Sequence, residues 1–189
     1  PDLSSSKSGR SNTDAMSVSW AALRTALDSA GVLRSVQAAR KVNGTGLLVG
    51  QVSDDSRLIR EDAANGTTCC FVAVRGVSVD GHRFIDQAIA NGACIVVCET
   101  VPEQADERYP EVVFAEVTDG RIAVAELAAA FYGHPSRSLR MVGVTGTNGK
   151  TTVSYLVHHA LDALGETPGL ISTIEVRTGA VATNAALTT

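Results

Sequence analysis

The run Gly146-Thr147-Asn148-Gly149-Lys150-Thr151-Thr152 is the part of this chain best suited to chemistry. A polyphosphate is held by several N–H groups converging on its oxygens, and glycines let the backbone approach closely while taking positive φ. A helix that begins where the run ends adds the positive end of its dipole. In that arrangement Lys150 reaches the β- and γ-phosphates, and the Thr151 hydroxyl ligates Mg²⁺. The pattern therefore points to ATP or GTP. The bland alternative is a tight strand-to-helix turn with a surface lysine. One departure stands out: the residue five before Gly149 is Val144, where the common pattern has glycine, and Gly143 lies one further back.

Such a loop needs a strand before it and a helix after it. Leu139 to Val144 supplies an apolar run, and Thr151 to Leu164 carries Val153, Leu156, Val157, Ala160, Leu161 and Leu164 at helical spacing before Gly165. Leu170 to Ile174 reads as the next strand. Upstream, Phe71–Val74, Cys94–Cys98 and Val112–Val117 read as short buried strands. Between them lie a polar loop from Arg75 to Gly81 and a helix with Phe84, Ile85, Ala88 and Ile89 on one face. An alanine-rich helix, Arg121 to Tyr132, stops at Gly133 and Pro135. Buried strands alternating with helices predict an α/β fold with a parallel sheet. Nearer the start, Ser17 or Ser19 caps a helix bearing Trp20, Leu23 and Leu27, which Gly31 ends.

These elements predict a domain over 16–137 and a second, nucleotide-binding unit over 138–189, joined at the polar, proline-broken segment His134–Ser138. The second unit, about 50 residues long, is expected to be truncated. Residues 1–15 are polar and serine-rich, and are expected to be a disordered tail or an artificial remnant.

Composition removes several function classes. With 44% apolar and 19% charged residues among 189, the chain is ordinary globular protein. Its longest apolar runs are far too short for a membrane span. A net charge of −4 argues against a large nucleic-acid surface, without excluding an anion bound by backbone amides. The four cysteines are too few for a disulfide scaffold, and His82 is the only histidine near them, so they are expected to be reduced and buried. No secretory signal is visible, which suggests a cytosolic protein. His158 and His159 fall off the apolar stripe and are expected at the surface or its rim. Asp80 suits a helix cap, and His82 either orients the loop or touches a ligand. The segment Glu103 to Glu111 reads as a solvated loop.

Several short motifs stand in one order along the chain. They are Asp55-Ser56-Arg57, Phe71-Val72-Ala73-Val74-Arg75-Gly76, and Asp80-Gly81-His82-Arg83-Phe84-Ile85. Phe131-Tyr132-Gly133-His134-Pro135-Ser136 follows, then the glycine-rich loop after Val142-Gly143-Val144-Thr145, then Gly169-Leu170-Ile171-Ser172-Thr173-Ile174 and the terminal Leu187-Thr188-Thr189. Together they resemble the Mur ligase family, and most closely its MurE-type ligases, which act on a UDP-N-acetylmuramoyl dipeptide. Arg57 to Phe71 is longer here than that family's usual spacing, and the Val144 departure is one the family tolerates.

The resemblance implies an amino-terminal α/β domain for the UDP substrate, followed by the start of an ATP-binding central domain. It implies an ATP- and Mg²⁺-dependent amide ligase of bacterial peptidoglycan synthesis, cytoplasmic and monomeric. Its partners are UDP-MurNAc-L-Ala-D-Glu and a free amino acid, with neither nucleic acid nor membrane involved. Lys150 is the implied catalytic residue within an ATP site formed by Gly146, Thr147, Asn148, Gly149, Lys150, Thr151 and Thr152. Asp54, Ser56, Val77, Ser78, Val79, Thr188 and Thr189 are the implied contacts to the UDP substrate. A catalytically inactive nucleotide- or UDP-binding module, another Mur ligase such as MurF, and a different phosphate-loop enzyme such as a kinase are the alternatives.

Overall fold

The computed structural model describes residues 16–37, 46–59, 67–76 and 79–185. They fall into two compact units, divided between Ser138 and Leu139.

In the first unit, α1 (Trp20–Ser29) starts at Ser19, whose hydroxyl accepts from the Ala22 N–H at 3.3 Å. Trp20, Leu23 and Leu27 recur on one face and are buried, each contributing about 1.5–3 kcal/mol of burial free energy. Gly31, at φ +69°, turns the chain out of the helix. Six strands follow the α/β expectation: β1 (Val18–Ser19), β2 (Leu33–Gln37), β3 (Leu48–Ser53), β4 (Thr68–Ala73), β5 (Ala93–Cys98) and β6 (Val113–Val117). Their order in the sheet is β1-β3-β4-β5-β6-β2. The four central strands are parallel, while β1 and β2 pair antiparallel at opposite edges.

Alternation within the central strands sorts the core into two layers. Cys70, Val72, Ile95, Val97, Val113, Ala115 and Val117 face α1 and α4 (Gly120–Phe131). Cys69, Phe71, Ala73, Val96, Cys98 and Phe114 pack with Ile85 and Ala88 of α2 (Ile85–Ala90) and Ala105 of α3 (Ala105–Arg108). Apolar residues on both faces of a strand are what a sheet covered on both sides requires. Phe84 departs from the expected helical face: it sits in a 3-10 turn, Gly81–Phe84, and is exposed. The acidic segment around Glu107 contains the single helical turn α3, with its carboxylates exposed.

In the second unit, α5 (Lys150–Ala163) follows the glycine-rich loop. A three-stranded antiparallel sheet then forms from β7 (Gly169–Ile171), β8 (Glu175–Thr178) and β9 (Val181–Asn184). Two expectations need correction here. Leu139 to Val144 is not a strand, and Leu139, Met141 and Val142 are exposed. A strand needs a neighbour's N–H and C=O groups, and no described strand pairs with this run. The strand expected through Ile174 stops at Ile171, because the Ser172 hydroxyl accepts from the Ile174 and Glu175 N–H groups and reverses the chain. On α5, moreover, Val153, Leu156 and Leu164 are exposed, whereas His158 is buried. Helical spacing correctly identified the helix, but not the side it covers.

Among the described residues no helix is long and apolar enough to cross a membrane. All four cysteines are free; Cys69, Cys70 and Cys98 are buried and Cys94 is partly so. Burial pushes the Cys70 and Cys98 thiols up to about 12.

Candidate functional site

The glycine-rich loop stands at the head of α5. Gly146 has φ +145° and Gly149 has φ +78°, conformations that L side chains rarely adopt. Gly149 is the N-cap and Lys150 opens the helix. The first-turn N–H groups of a helix have no intrahelical acceptors, so this terminus offers convergent donors to an anion. Lys150 folds back over the loop and donates to the Gly146 carbonyl at 2.7 Å and the Thr147 carbonyl at 3.4 Å. Its ammonium therefore lies above the concave backbone. Thr151 is half-buried in the first turn, and its carbonyl accepts from the Ser154 hydroxyl at 2.8 Å. Thr147, Asn148 and Thr152 are exposed around the loop. The donor set suits phosphate oxygens with a hard cation: backbone amides, one ammonium and one hydroxyl. No cluster of His, Cys, Asp or Glu among the described residues is arranged to hold a metal on its own.

In the first unit, the expected substrate contacts cluster at the carboxyl ends of the parallel strands, where open α/β sheets commonly bind ligands. Asp54 follows β3 and is exposed. Ser56 is buried, and its hydroxyl donates to Gln87 Oε1 at 2.9 Å while its carbonyl accepts from Asn91 Nδ2 at 2.8 Å. Those bonds clamp the turn after β3 onto α2. The neighbouring Asp55 accepts from the Arg57 Nε at 2.9 Å and Nη2 at 2.7 Å, and this pairing holds its carboxyl down at about 2. Val79 is exposed, and its carbonyl accepts from the Gly76 N–H at 3.0 Å. Val77, Ser78, Thr188 and Thr189 lie outside the described residues, as does the 1–15 tail.

Around Val79 the structure builds a polar node that sequence reading only partly anticipated. Asp80 caps the 3-10 turn as expected, accepting from the His82 N–H at 3.0 Å. It also receives His82 Nδ1 at 2.7 Å, and these two bonds lower its carboxyl below the usual range. On the far side of the ring, His82 Nε2 accepts from the Glu99 N–H at 3.0 Å and the Thr100 N–H at 3.4 Å. Two donors converging on Nε2 place the ring proton on Nδ1. Glu99 in turn accepts from the Gly120 N–H at 3.0 Å and pairs with Arg75 at 3.3 Å. Arg75 also donates to Thr100 Oγ1 at 3.1 Å, and Arg121 donates to the Arg75 carbonyl at 3.3 Å. Sequence reading reached Asp80 and His82 but missed Glu99, whose one signal is a carboxylate directly after a buried strand.

Two family models match. Residues 66–132 match the Mur ligase family, catalytic domain, and residues 144–189 match the Mur ligase middle domain. A UDP-N-acetylmuramyl-tripeptide synthetase of Roseiflexus sp. is 50% identical over 109 residues, covering 58% of this chain and 21% of that protein. The UDP-N-acetylmuramoyl-L-alanyl-D-glutamate–2,6-diaminopimelate ligase of Chlorobaculum tepidum is 41% identical over 152 residues, or 80% of this chain and 28% of that protein. The chain thus spans about a quarter of the length of the curated relatives it matches. Among solved structures, the UDP-N-acetylmuramoylalanyl-D-glutamyl-2,6-diaminopimelate–D-alanyl-D-alanyl ligase of Acinetobacter baumannii shares the fold. Its TM-score is 0.54 at 22% identity, with 82% of this chain and 30% of that one covered.

Proposed function

The chain belongs to the Mur ligase family, and from that premise we propose that it supplies the UDP-substrate unit and the ATP loop of a MurE-type ligase. The reaction adds an amino acid to UDP-MurNAc-L-Ala-D-Glu in the bacterial cytoplasm. An ionised carboxylate is a poor electrophile, so the reaction first needs a leaving group. A D-glutamyl carboxylate oxygen attacks the γ-phosphorus of ATP, ADP departs, and an acyl phosphate forms. The incoming amine then attacks the acyl carbon, loses a proton and expels phosphate, leaving an amide.

The observation that carries this reading is the loop at the head of α5, with two positive-φ glycines and the Lys150 ammonium held over their backbone. Lys150 exchanges its carbonyl contacts for phosphate oxygens and neutralises charge that develops on the transferring group. Thr151 would hold Mg²⁺, which supplies charge neutralisation across the phosphates when bound. In the first unit, Asp54 and Val79 are the exposed described candidates for the UDP end. Ser56, with its hydroxyl committed to Gln87, shapes the turn that presents Asp54.

The test is phosphate release, with UDP-dipeptide and amino acid both present, in a ligase that carries this chain. Lys150→Ala should lose about 3–4 kcal/mol of transition-state stabilisation, or two to three orders of magnitude in rate. Thr151→Ala should fall less and recover in part with added Mg²⁺. Near-normal turnover by Lys150→Ala would remove the ATP assignment.

A further inference from the structure

We propose that His82 is a positioning residue for the nucleotide-sugar end of the substrate, acting as a neutral clamp between two strand ends. The inference rests on the UDP-substrate reading of the first unit and adds to it a residue that makes no substrate contact itself. Arg75 also links the turn after β4 to the segment after β5, but through side chains; among those bonds the His82 ring alone holds the backbone of that segment. Through Nδ1–H it holds Asp80, which bridges to Arg75 across the turn that contains Val79. Through Nε2 it receives the backbone of Glu99 and Thr100. The imidazole is mostly shielded, with 14% of its side chain exposed. Gly81 brings it there: the Gly81 N–H donates to the Val74 carbonyl at 2.9 Å, so the turn packs directly on the end of β4.

This geometry has a chemical consequence. An imidazolium carries a proton on both nitrogens, and Nε2–H would then point at two N–H donors. Protonation keeps the Asp80 contact but breaks the grip on β5. The charged groups facing the ring are Asp80 on its own turn, Arg75 from the end of β4 and Glu99 after β5, with Arg121 of α4 joined through Arg75. Acid should therefore loosen the turn that ends in Val79 and weaken binding of the UDP end.

The experiment is titration calorimetry of UDP-MurNAc-L-Ala-D-Glu into a ligase carrying this chain, from about pH 8 to about pH 5.5. The sugar diphosphate itself has no phosphate ionisation in that interval. His82→Ala should weaken binding about tenfold at the higher pH, the equivalent of a lost hydrogen-bonded contact. His82→Gln, whose amide oxygen can replace the Nε2 acceptor, should bind within about threefold of the natural protein. It should also lose the natural protein's fall in affinity with acid, a readout that a merely space-filling role would not move. In steady state the effect should appear in KM for the UDP substrate, with kcat kept. Unchanged binding by His82→Ala would overturn the proposal, as would an identical pH profile in the natural protein and His82→Gln. Should His82→Ala not fold, the comparison with His82→Gln decides alone. A natural protein that binds no UDP substrate would instead overturn the reading of the first unit, and this inference with it.

Discussion

Replacing Gly81 with alanine tests how tightly the turn after β4 is pressed back onto that strand. A β-carbon built at Gly81 would stand 2.6 Å from the Val74 carbonyl oxygen and 2.7 Å from the Val74 nitrogen. Both are backbone atoms directly after β4, so neither can rotate away as a flexible side chain would. The turn must move outward, which stretches the 2.9 Å bond from the Gly81 N–H to the Val74 carbonyl. Overpacking of this kind costs about 1–3 kcal/mol, and a weakened hydrogen bond about 1 kcal/mol. Together they destabilise the first unit by about 3 kcal/mol, or roughly 10 °C in midpoint for a domain of this size. The assay is thermal unfolding followed by fluorescence of Trp20, the only tryptophan and one buried in the first unit's core. Gly31→Ala is the control. Its φ of +69° is unfavourable for alanine, but nothing lies within 4 Å of the added carbon. That substitution should cost only about 1–2 kcal/mol. If Gly81→Ala melts no lower than Gly31→Ala, the close approach to Val74 is not what holds this turn, and the reasoning fails.

Other consequences are open to direct measurement. With their thiols pushed up to about 12 by burial, Cys70 and Cys98 should resist alkylation in the native protein at about pH 8. The partly exposed Cys94 should be labelled first, and peptide mapping that found Cys70 modified as fast as in urea would contradict the buried-layer assignment. The Asp55 carboxyl, held at about 2 by its pairing with Arg57, should titrate in NMR well below its ordinary value of 3.8 and return toward it in Arg57→Gln. Since the folded value is the lower one, the pair's contribution to stability is present above about pH 4 and is lost as pH falls toward 2. A midpoint unchanged by Arg57→Gln would show that the pairing does not set it.

Much of this architecture could be read in advance where its cause is local. Trp20, Leu23 and Leu27 fix a helix face, and Cys94 to Cys98 can only be buried as a strand covered on both sides. The glycine-rich loop could be placed at a helix start because its glycines suit the positive φ that Gly146 and Gly149 adopt. What sequence could not reveal depends on distant partners. Leu33-Arg34-Ser35-Val36-Gln37 has no clean alternation, and becomes β2 only because β6 offers an edge. Leu139 to Val144 has the composition of a strand but no described neighbour to pair with. His158 looked like a surface residue by its helical position, and its burial is a tertiary outcome. The motif containing His82 was plain, but its bonds to the backbone of Glu99 and Thr100 required the strands to be placed side by side.

The placement of β1 and β2 at opposite edges of the sheet also bears on how the chain is made. The four central strands each pair with the strand before or after them in sequence, so they can assemble progressively as they emerge from a ribosome. The strand β2, which precedes them, cannot. Ser35 on β2 bonds Glu116 on β6, 81 positions later. At about 5–20 residues per second, that delay is roughly 4–16 s. Throughout it, α1 has an apolar face and β2 has no partner. Of the six strands, β2 is therefore the one that waits longest for its partner, and with α1 the one most in need of a chaperone's cover.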